Sequence, residues 1–275
     1  MDEPVLWFAT QHGKEKIIGE TARKELGWRV LAVPGLDTDL WGTFSGETER
    51  PAGQEETARL KLKAAAASAE GDLWISSEGA FFPDPLFPFS TRNTELLLFL
   101  DRRSGTELVA SFSETGFPLW EKPVSSESDL RPALHRRDYH AEGLILRAGA
   151  PGNWQVRKDF NDAEAVLKAF EELKANSLEI MLLPDLRAHR NQRRRENIEK
   201  AFLHLIHRLK TPCPACSMPG FTTEEGVPGL PCGNCGLPTR MPMLFQTTCG
   251  KCGYSCSRQP EEMWADPGFC DGCNP

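Results

Sequence analysis

Apolar positions in the first 210 residues fall into short runs rich in β-branched and aromatic side chains, separated by amphipathic stretches of longer period. Val5–Phe8, Arg29–Val33, Leu73–Ser76, Glu95–Leu100, Glu107–Phe112, Leu144–Leu146 and Leu178–Leu183 predict strands. Ala58, Leu62, Ala65, Ala66 and Ala69 share one face of a helix predicted over Gln54–Ala69. Asn161 is a good N-cap with Glu164 three residues on, and Ala163, Val166, Leu167 and Phe170 follow at helical spacing. A third helix, Asn191–Leu209, aligns Ile198, Ala201, Phe202, Leu205, Ile206 and Leu209, and an earlier one runs from about Lys14 to Leu26 before Gly27. Strands and helices interleave, which predicts the α/β class, a mixed sheet flanked by helices. Lys122–Pro132, with three serines and two prolines, reads as a surface loop.

The pattern changes past Thr211-Pro212, which reads as a hinge between a main domain, 1–210, and a small module, 211–275. All nine cysteines lie between Cys213 and Cys273, and eight form Cys-x-x-Cys pairs: Cys213/Cys216, Cys232/Cys235, Cys249/Cys252 and Cys270/Cys273. Two intervening residues let one tight turn aim both thiolates at one ion, so four turns make two four-cysteine zinc sites of ribbon type. Such sites leave no position open for water, so both zinc ions are expected to be structural. Sequential pairing is favoured because its C-x2-C-x15-C-x2-C and C-x2-C-x17-C-x2-C spacings are ordinary for ribbons. Nested and cross-braced pairings are also geometrically open. Cys256 is left over as a non-ligand thiol, and Gly236, Gly250 and Gly253 suit the backbone angles of zinc turns.

Charge narrows the reading further. Net charge is −7, so any nucleic-acid surface must be local. No apolar run is long enough to span a membrane. Met1-Asp2-Glu3-Pro4 carries acids where a secretory signal needs bases, which predicts a cytoplasmic protein.

Three segments carry candidate chemistry. Thr10-Gln11-His12-Gly13-Lys14 follows the first predicted strand and opens a helix, offering backbone N–H groups, a hydroxyl and a cation to a phosphate. Asp37, Asp39 and Glu47 on glycine-rich loops, with Glu78, could gather around Mg²⁺. Ser76-Ser77-Glu78-Gly79 ends another strand, where ligands of open α/β sheets bind. Finally, Arg187, Arg190, Arg193, Arg194 and Arg195 form a basic cluster beside His189 that would suit phosphate or nucleic acid. Cations at a helix N-terminus oppose the macrodipole, which points to an anionic partner.

Over its full length the chain resembles a bacterial family of unknown function, through ATQHGKEKIIG, DTDLWGTFSGE, SSEGAFFPDP, DLRAHRNQRR and the cysteine-rich ending. Its first 210 residues also resemble the inosine triphosphate pyrophosphatase family. Ala9-Thr10-Gln11-His12-Gly13-Lys14 is similar to that family's Ala-Thr-x-Asn-x-x-Lys opening, with His12 replacing the usual Asn. The resemblance implies that Thr10 and Lys14 hold a triphosphate. Gly42-Thr43-Phe44 with Glu55 and Glu56 resembles the family's acidic, metal-binding helix region. Ser76-Ser77-Glu78-Gly79 stands at its Asp-Asp-Ser-Gly turn with one carboxylate missing, and Ala188-His189-Arg190 at its Ser-His-Arg base-recognition motif. The implied protein is a metal-dependent nucleoside triphosphate pyrophosphatase-like hydrolase. Its catalytic residues would be Lys14 and Glu78, and its substrate contacts Thr10, His12, Ser76, Ser77, His189 and Arg190. The alternative is a non-catalytic zinc-ribbon protein that binds nucleic acid or a protein partner.

Overall fold

The computed structural model describes residues 3–44, 47–135, 138–150, 153–176 and 179–274. The chain divides into two compact units, Met1–Leu205 and Ile206–Pro275.

In the first unit, β1 (Val5–Ala9), α1 (Lys14–Leu26), β2 (Arg29–Ala32), α2 (Gln54–Ser68) and β3 (Leu73–Pro83) make two strand–helix–strand crossovers, β1 pairing in parallel with both β2 and β3. β4 (Thr91–Asp101) and β5 (Thr106–Thr115) continue antiparallel, giving the sheet order β2-β1-β3-β4-β5. A second, antiparallel sheet follows from β6 (Lys122–Val124), β7 (Leu144–Ala150), β8 (Asn153–Arg157) and β9 (Ile180–Pro184), in the order β6-β9-β7-β8. Of its helices, α3 (Glu127–Leu134) and α4 (Ala163–Lys174), the second buries Val166, Ala169, Phe170 and Leu173 in one core with Leu144, Leu146, Ile180 and Leu182. α5 (Gln192–Leu209) carries the last residues of the unit. The class is mixed α/β.

β3 positions the chemistry. Eight consecutive residues, Leu73 to Ala80, are buried, as in a strand covered on both faces. The period of two sends alternate residues to opposite sides. Toward α2, Trp74 packs with Ala58, Leu62 and Ala65, the Ser76 hydroxyl donates to the Ala58 carbonyl at 2.7 Å, and Glu78 pairs with Lys61. On the other side, Ser77 meets Lys14 and Gly79 lies against Arg194 of α5.

Three local expectations change. Lys122–Pro132 is not a loop but β6 and most of α3: Ser126 and Asp129 close a reciprocal capping box, and Leu130 and Leu134 are buried. The serines that suggest a turn are helix-capping groups. The N-cap of α4 is Asp162, whose carboxylate accepts from the Ala165 N–H at 2.8 Å, rather than Asn161. The strand expected over Leu178–Leu183 is seen from Ile180; Leu178 lies outside the described residues.

The second unit is built around its cysteine turns and a three-stranded antiparallel sheet, β10 (Glu224–Pro228), β11 (Pro242–Thr248) and β12 (Ser255–Arg258). Apart from four cysteines, its buried apolar residues past Thr211 are Leu230 and Ala265, too little to fold a segment of this size without a staple. Among the described residues, no helix is long and apolar enough to cross a membrane.

Candidate functional site

The cysteine turns repeat one design. The N–H groups of Cys213, Cys232 and Cys249 donate to the carbonyls of Met218, Leu237 and Tyr254, each at 2.8 Å, while the residue four past each cysteine donates back to the cysteine carbonyl. That residue is Ser217, Gly236 or Gly253, with φ of 60°, 72° and 73°. Gly250 is not among the positive-φ residues, so of the three glycines expected to serve these turns only Gly236 and Gly253 do so. Inside the turns, N–H groups of Cys252 and Lys251 hold the Cys249 thiol down at about 6, and those of Cys235 and Asn234 hold Cys232 at about 7. Thiolates favoured in this way are better metal ligands.

The pairing is cross-braced. Cys213, Cys216, Cys249 and Cys252 form one group, and Cys232, Cys235, Cys270 and Cys273 the other. Sulfur separations are 3.8 and 3.6 Å in the first and 3.9 and 3.6 Å in the second. A tetrahedron with Zn–S bonds of about 2.3 Å has edges of about 3.8 Å, so each group fits one structural metal ion. The sequential pairing favoured by spacing is therefore corrected. Spacing constrains chain length between turns, whereas β10 to β12 decide which turns meet. Cys256 is exposed and belongs to neither group.

In the first unit a cavity of ≈ 140 Å³ opens between the α1 loop, residues 38–44 with Arg50, β3 and the start of α5. Lys14, Arg50, Lys61, Lys158, Arg187 and Arg194 line it, against only Asp39 and Glu78. Most of these cations have internal partners. Arg194 is buried and bonds Glu95 through Nε at 2.7 Å and Nη2 at 3.0 Å. Arg187 pairs with Asp185 and Asp159 at 2.6 and 2.7 Å, and Lys158 with Glu47 at 2.6 Å. Lys61 and Arg50 both hold Glu78, Arg50 at 3.4 Å.

Lys14 is different. Its ammonium donates to Ser77 Oγ at 2.8 Å, and it has no carboxylate within ion-pair distance among the described residues. Crowding by protein strips its hydration, and Arg194 and Lys61 add repulsion, bringing its pKa down from 10.5 to about 8. Gly13, in the left-handed region at φ 69°, turns the chain into α1 so that Lys14 stands on the cavity wall.

The other sequence candidates scatter. Thr10 is buried and accepts from the His12 N–H at 3.3 Å, a turn-shaping contact. Ser76 faces α2, not the cavity. His12 lines the cavity, bonds Asp39 at 3.0 Å and stacks on His189 with ring centroids 5.3 Å apart; burial pushes both imidazoles below their usual value. Arg190 is buried elsewhere and donates to the Phe160 carbonyl at 2.5 Å. The acids read as a magnesium set do not come together. Asp37 caps the Asp39 N–H at 3.0 Å, Asp39 is held by His12, Glu47 by Lys158, and Glu78 by Lys61 and Arg50. Among the described residues, the only groups of three or more metal-capable side chains are the two cysteine sets. Nor do the five arginines form one patch: Arg193 pairs with Glu114 at 2.8 Å and Arg195 reaches the His189 carbonyl at 3.1 Å, leaving Arg187 and Arg194 on the cavity.

Lys61 and Arg50 escape a reading of the sequence, although Lys61 left a signal. It sits three residues past Ala58, inside the apolar stripe of α2, where a lysine needs a buried partner. Gly79 is explained by Arg194, because a Cβ there would collide with the guanidinium on its way to Glu95. Gly79→Ala is expected to lower stability by about 1–3 kcal/mol through overpacking, measured by urea unfolding of the mutant against the parent.

No curated protein matches the chain. The family described as Domain of unknown function (DUF6671) matches residues 61–275, which begin at Lys61 and include Glu78, the Arg187–Arg194 wall and all eight paired cysteines. Since that match covers more than half of the sequence, the chain belongs to the DUF6671 family.

Proposed function

We propose that the first unit binds the phosphate chain of a nucleoside triphosphate in the cationic cavity and hydrolyses it to the monophosphate and pyrophosphate, and that the second unit holds two structural zinc ions. The observation that carries the phosphate reading is Lys14. An ammonium that loses hydration beside two other cations is costly when, among the described residues, no carboxylate comes within ion-pair distance and Glu95 and Glu78 attract it only from farther off; an anion in the cavity would relieve that cost. The cavity is smaller than the roughly 300–1,000 Å³ of sites that enclose a whole small molecule, which suits a phosphate chain inside and the nucleoside outside. The resemblance to the inosine triphosphate pyrophosphatase family agrees with this reading through Lys14 and Glu78, which line the cavity, whereas Thr10, Ser76 and Arg190 turn to backbone partners.

Water would attack the α-phosphorus, the bond to the bridging oxygen of the β-phosphate would break, and pyrophosphate would leave. Glu78, the acid of β3 on the cavity wall, would accept the water's proton. The residues present do not suit a magnesium site, since each of its expected acids already has a partner. Charge neutralisation falls instead to Lys14, Lys61 and Arg50. Incubating the zinc-loaded protein with standard and deaminated triphosphates tests the reading by pyrophosphate release. A folded protein with two zinc ions that releases none from any of them would sink it.

Lys14 also sets a pH dependence. Its depressed pKa means that the folded state gives up a proton which the unfolded chain keeps up to 10.5, so folding stability rises with pH from about 8 toward 10.5. Anion affinity runs the other way, because only the protonated amine attracts phosphate. Triphosphate affinity is expected to fall as pH rises through about 8, by up to about tenfold per unit for one linked proton. In calorimetric titrations Lys14→Arg should lose that step, since its guanidinium stays charged.

A protein partner suits the second unit better than nucleic acid. Met263, Trp264 and Phe269 are exposed, and from Cys213 onward six acids face three bases. The absence of any gel shift with RNA or DNA at about 50 mM salt, where phosphate contacts are strongest, is the expected outcome.

A further inference from the structure

We infer that Glu78 is an internal anion occupying the place of a ligand phosphate, and that a polyphosphate displaces it from Lys61 and Arg50 on binding. The inference rests on the phosphate reading of the cavity and concerns how that site is held when empty. Glu78, Lys61 and Arg50 all line the cavity. Glu78 and Lys61 are both buried, so their pairing is little screened by water. One carboxylate oxygen faces the Lys61 ammonium and the other lies 3.4 Å from the Arg50 guanidinium.

The framework around the carboxylate is fastened independently of it. Gln54 donates to the carbonyls of Glu78 and Thr94 at 2.7 and 2.8 Å, Arg50 donates to the Gly79 carbonyl at 2.5 Å, and Ser76 ties β3 to α2. The side chain of Glu78 can therefore exchange partners while β3 stays in place. Of the cations on the wall, Arg194 is locked to Glu95, Arg187 to two aspartates and Lys158 to Glu47. Lys61 and Arg50 share one carboxylate, and Lys14 has none among the described residues. These three are the cations that an incoming anion can engage, and two of them must be taken from Glu78.

The two possible roles of Glu78 predict opposite signs. An acid that holds the ligand through a divalent ion helps binding; an internal competitor opposes it. The test is calorimetric titration of inorganic triphosphate into the full-length, zinc-loaded protein, with and without Mg²⁺, comparing parent, Glu78→Gln and Glu78→Asp. Displacement predicts that Glu78→Gln binds on the order of tenfold more tightly than the parent, from loss of a nearby like charge. Glu78→Asp, which keeps the charge, should stay close to the parent. A rise in melting temperature on adding triphosphate, larger for Glu78→Gln than for the parent, gives the same comparison should the variant be less stable. Equal or weaker binding by Glu78→Gln, with parental binding intact, overturns displacement and leaves the phosphate site standing. If neither parent nor variant binds triphosphate, the phosphate site itself falls, and displacement with it.

Discussion

Replacing Cys213 and Cys249 together by serine should leave one zinc ion per chain, whereas replacing Cys213 and Cys232 together should leave none. The contrast follows from the cross-braced groups: the first pair of substitutions damages one site twice, and the second damages both. Sequential pairing would give the reverse result. Zinc content by elemental analysis after gel filtration reads the outcome. The effect should be large because a structural zinc site contributes roughly 10–16 kcal/mol of apparent binding free energy, and the second unit has little buried apolar surface to compensate. Chelation should correspondingly unfold the second unit. Its four turns are drawn from both ends of the module, so losing either ion releases contacts between segments 33–41 residues apart, as the paired cysteines are. Cys256→Ser, by contrast, should leave both ions in place.

Lys14→Met should reduce pyrophosphate release by about 10²–10³-fold, the cost of removing one preorganised group that stabilises developing charge. Methionine keeps the length and apolar stem of lysine, and no carboxylate among the described residues loses a partner. The substitution also removes an ammonium whose burial opposes folding, so the variant should be at least as stable as the parent below pH 8. Lost activity with unchanged or raised thermal stability is therefore the signature of a functional lysine. A variant that loses activity only because it unfolds would contradict this account. Steady-state assays run beside thermal melts separate the two.

Much of the scaffold was legible from local patterns. β3 announces itself as an apolar run because a strand buried on both faces has no polar alternation to obscure it, and β1 and β2, though less buried, are apolar runs as well. α1 ends where Gly27 takes φ 69°, a left-handed cap that glycine adopts without strain. β6, β8 and β10 to β12 were missed, since short strands with exposed residues look like loops until partners supply their hydrogen bonds. Within the candidate site, Lys14 was visible as a cation at a helix start and Glu78 as an acid past an apolar run; both line the cavity, but β3 runs on to Pro83, so Glu78 lies within the strand and not at its end. Thr10, Ser76 and Arg190 were equally visible, yet their side chains satisfy backbone groups instead.

What the sequence determined by itself was chemistry that depends on near neighbours: eight thiols in two-residue turns, a lysine at a glycine-led helix start, and helix and strand periods. A turn of four residues brings its own ends together whatever surrounds it. What only the tertiary structure decided was every pairing over distance. Cys213 meets Cys252 across 39 positions, Lys61 holds Glu78 across a helix–strand interface, and Arg194 reaches Glu95 across 99 positions through space that Gly79 leaves open. Those choices depend on which faces are buried together. Asp39, Glu47 and Glu78, which the sequence offers as metal ligands, become partners of His12, Lys158 and Lys61 because packing sets those groups beside them.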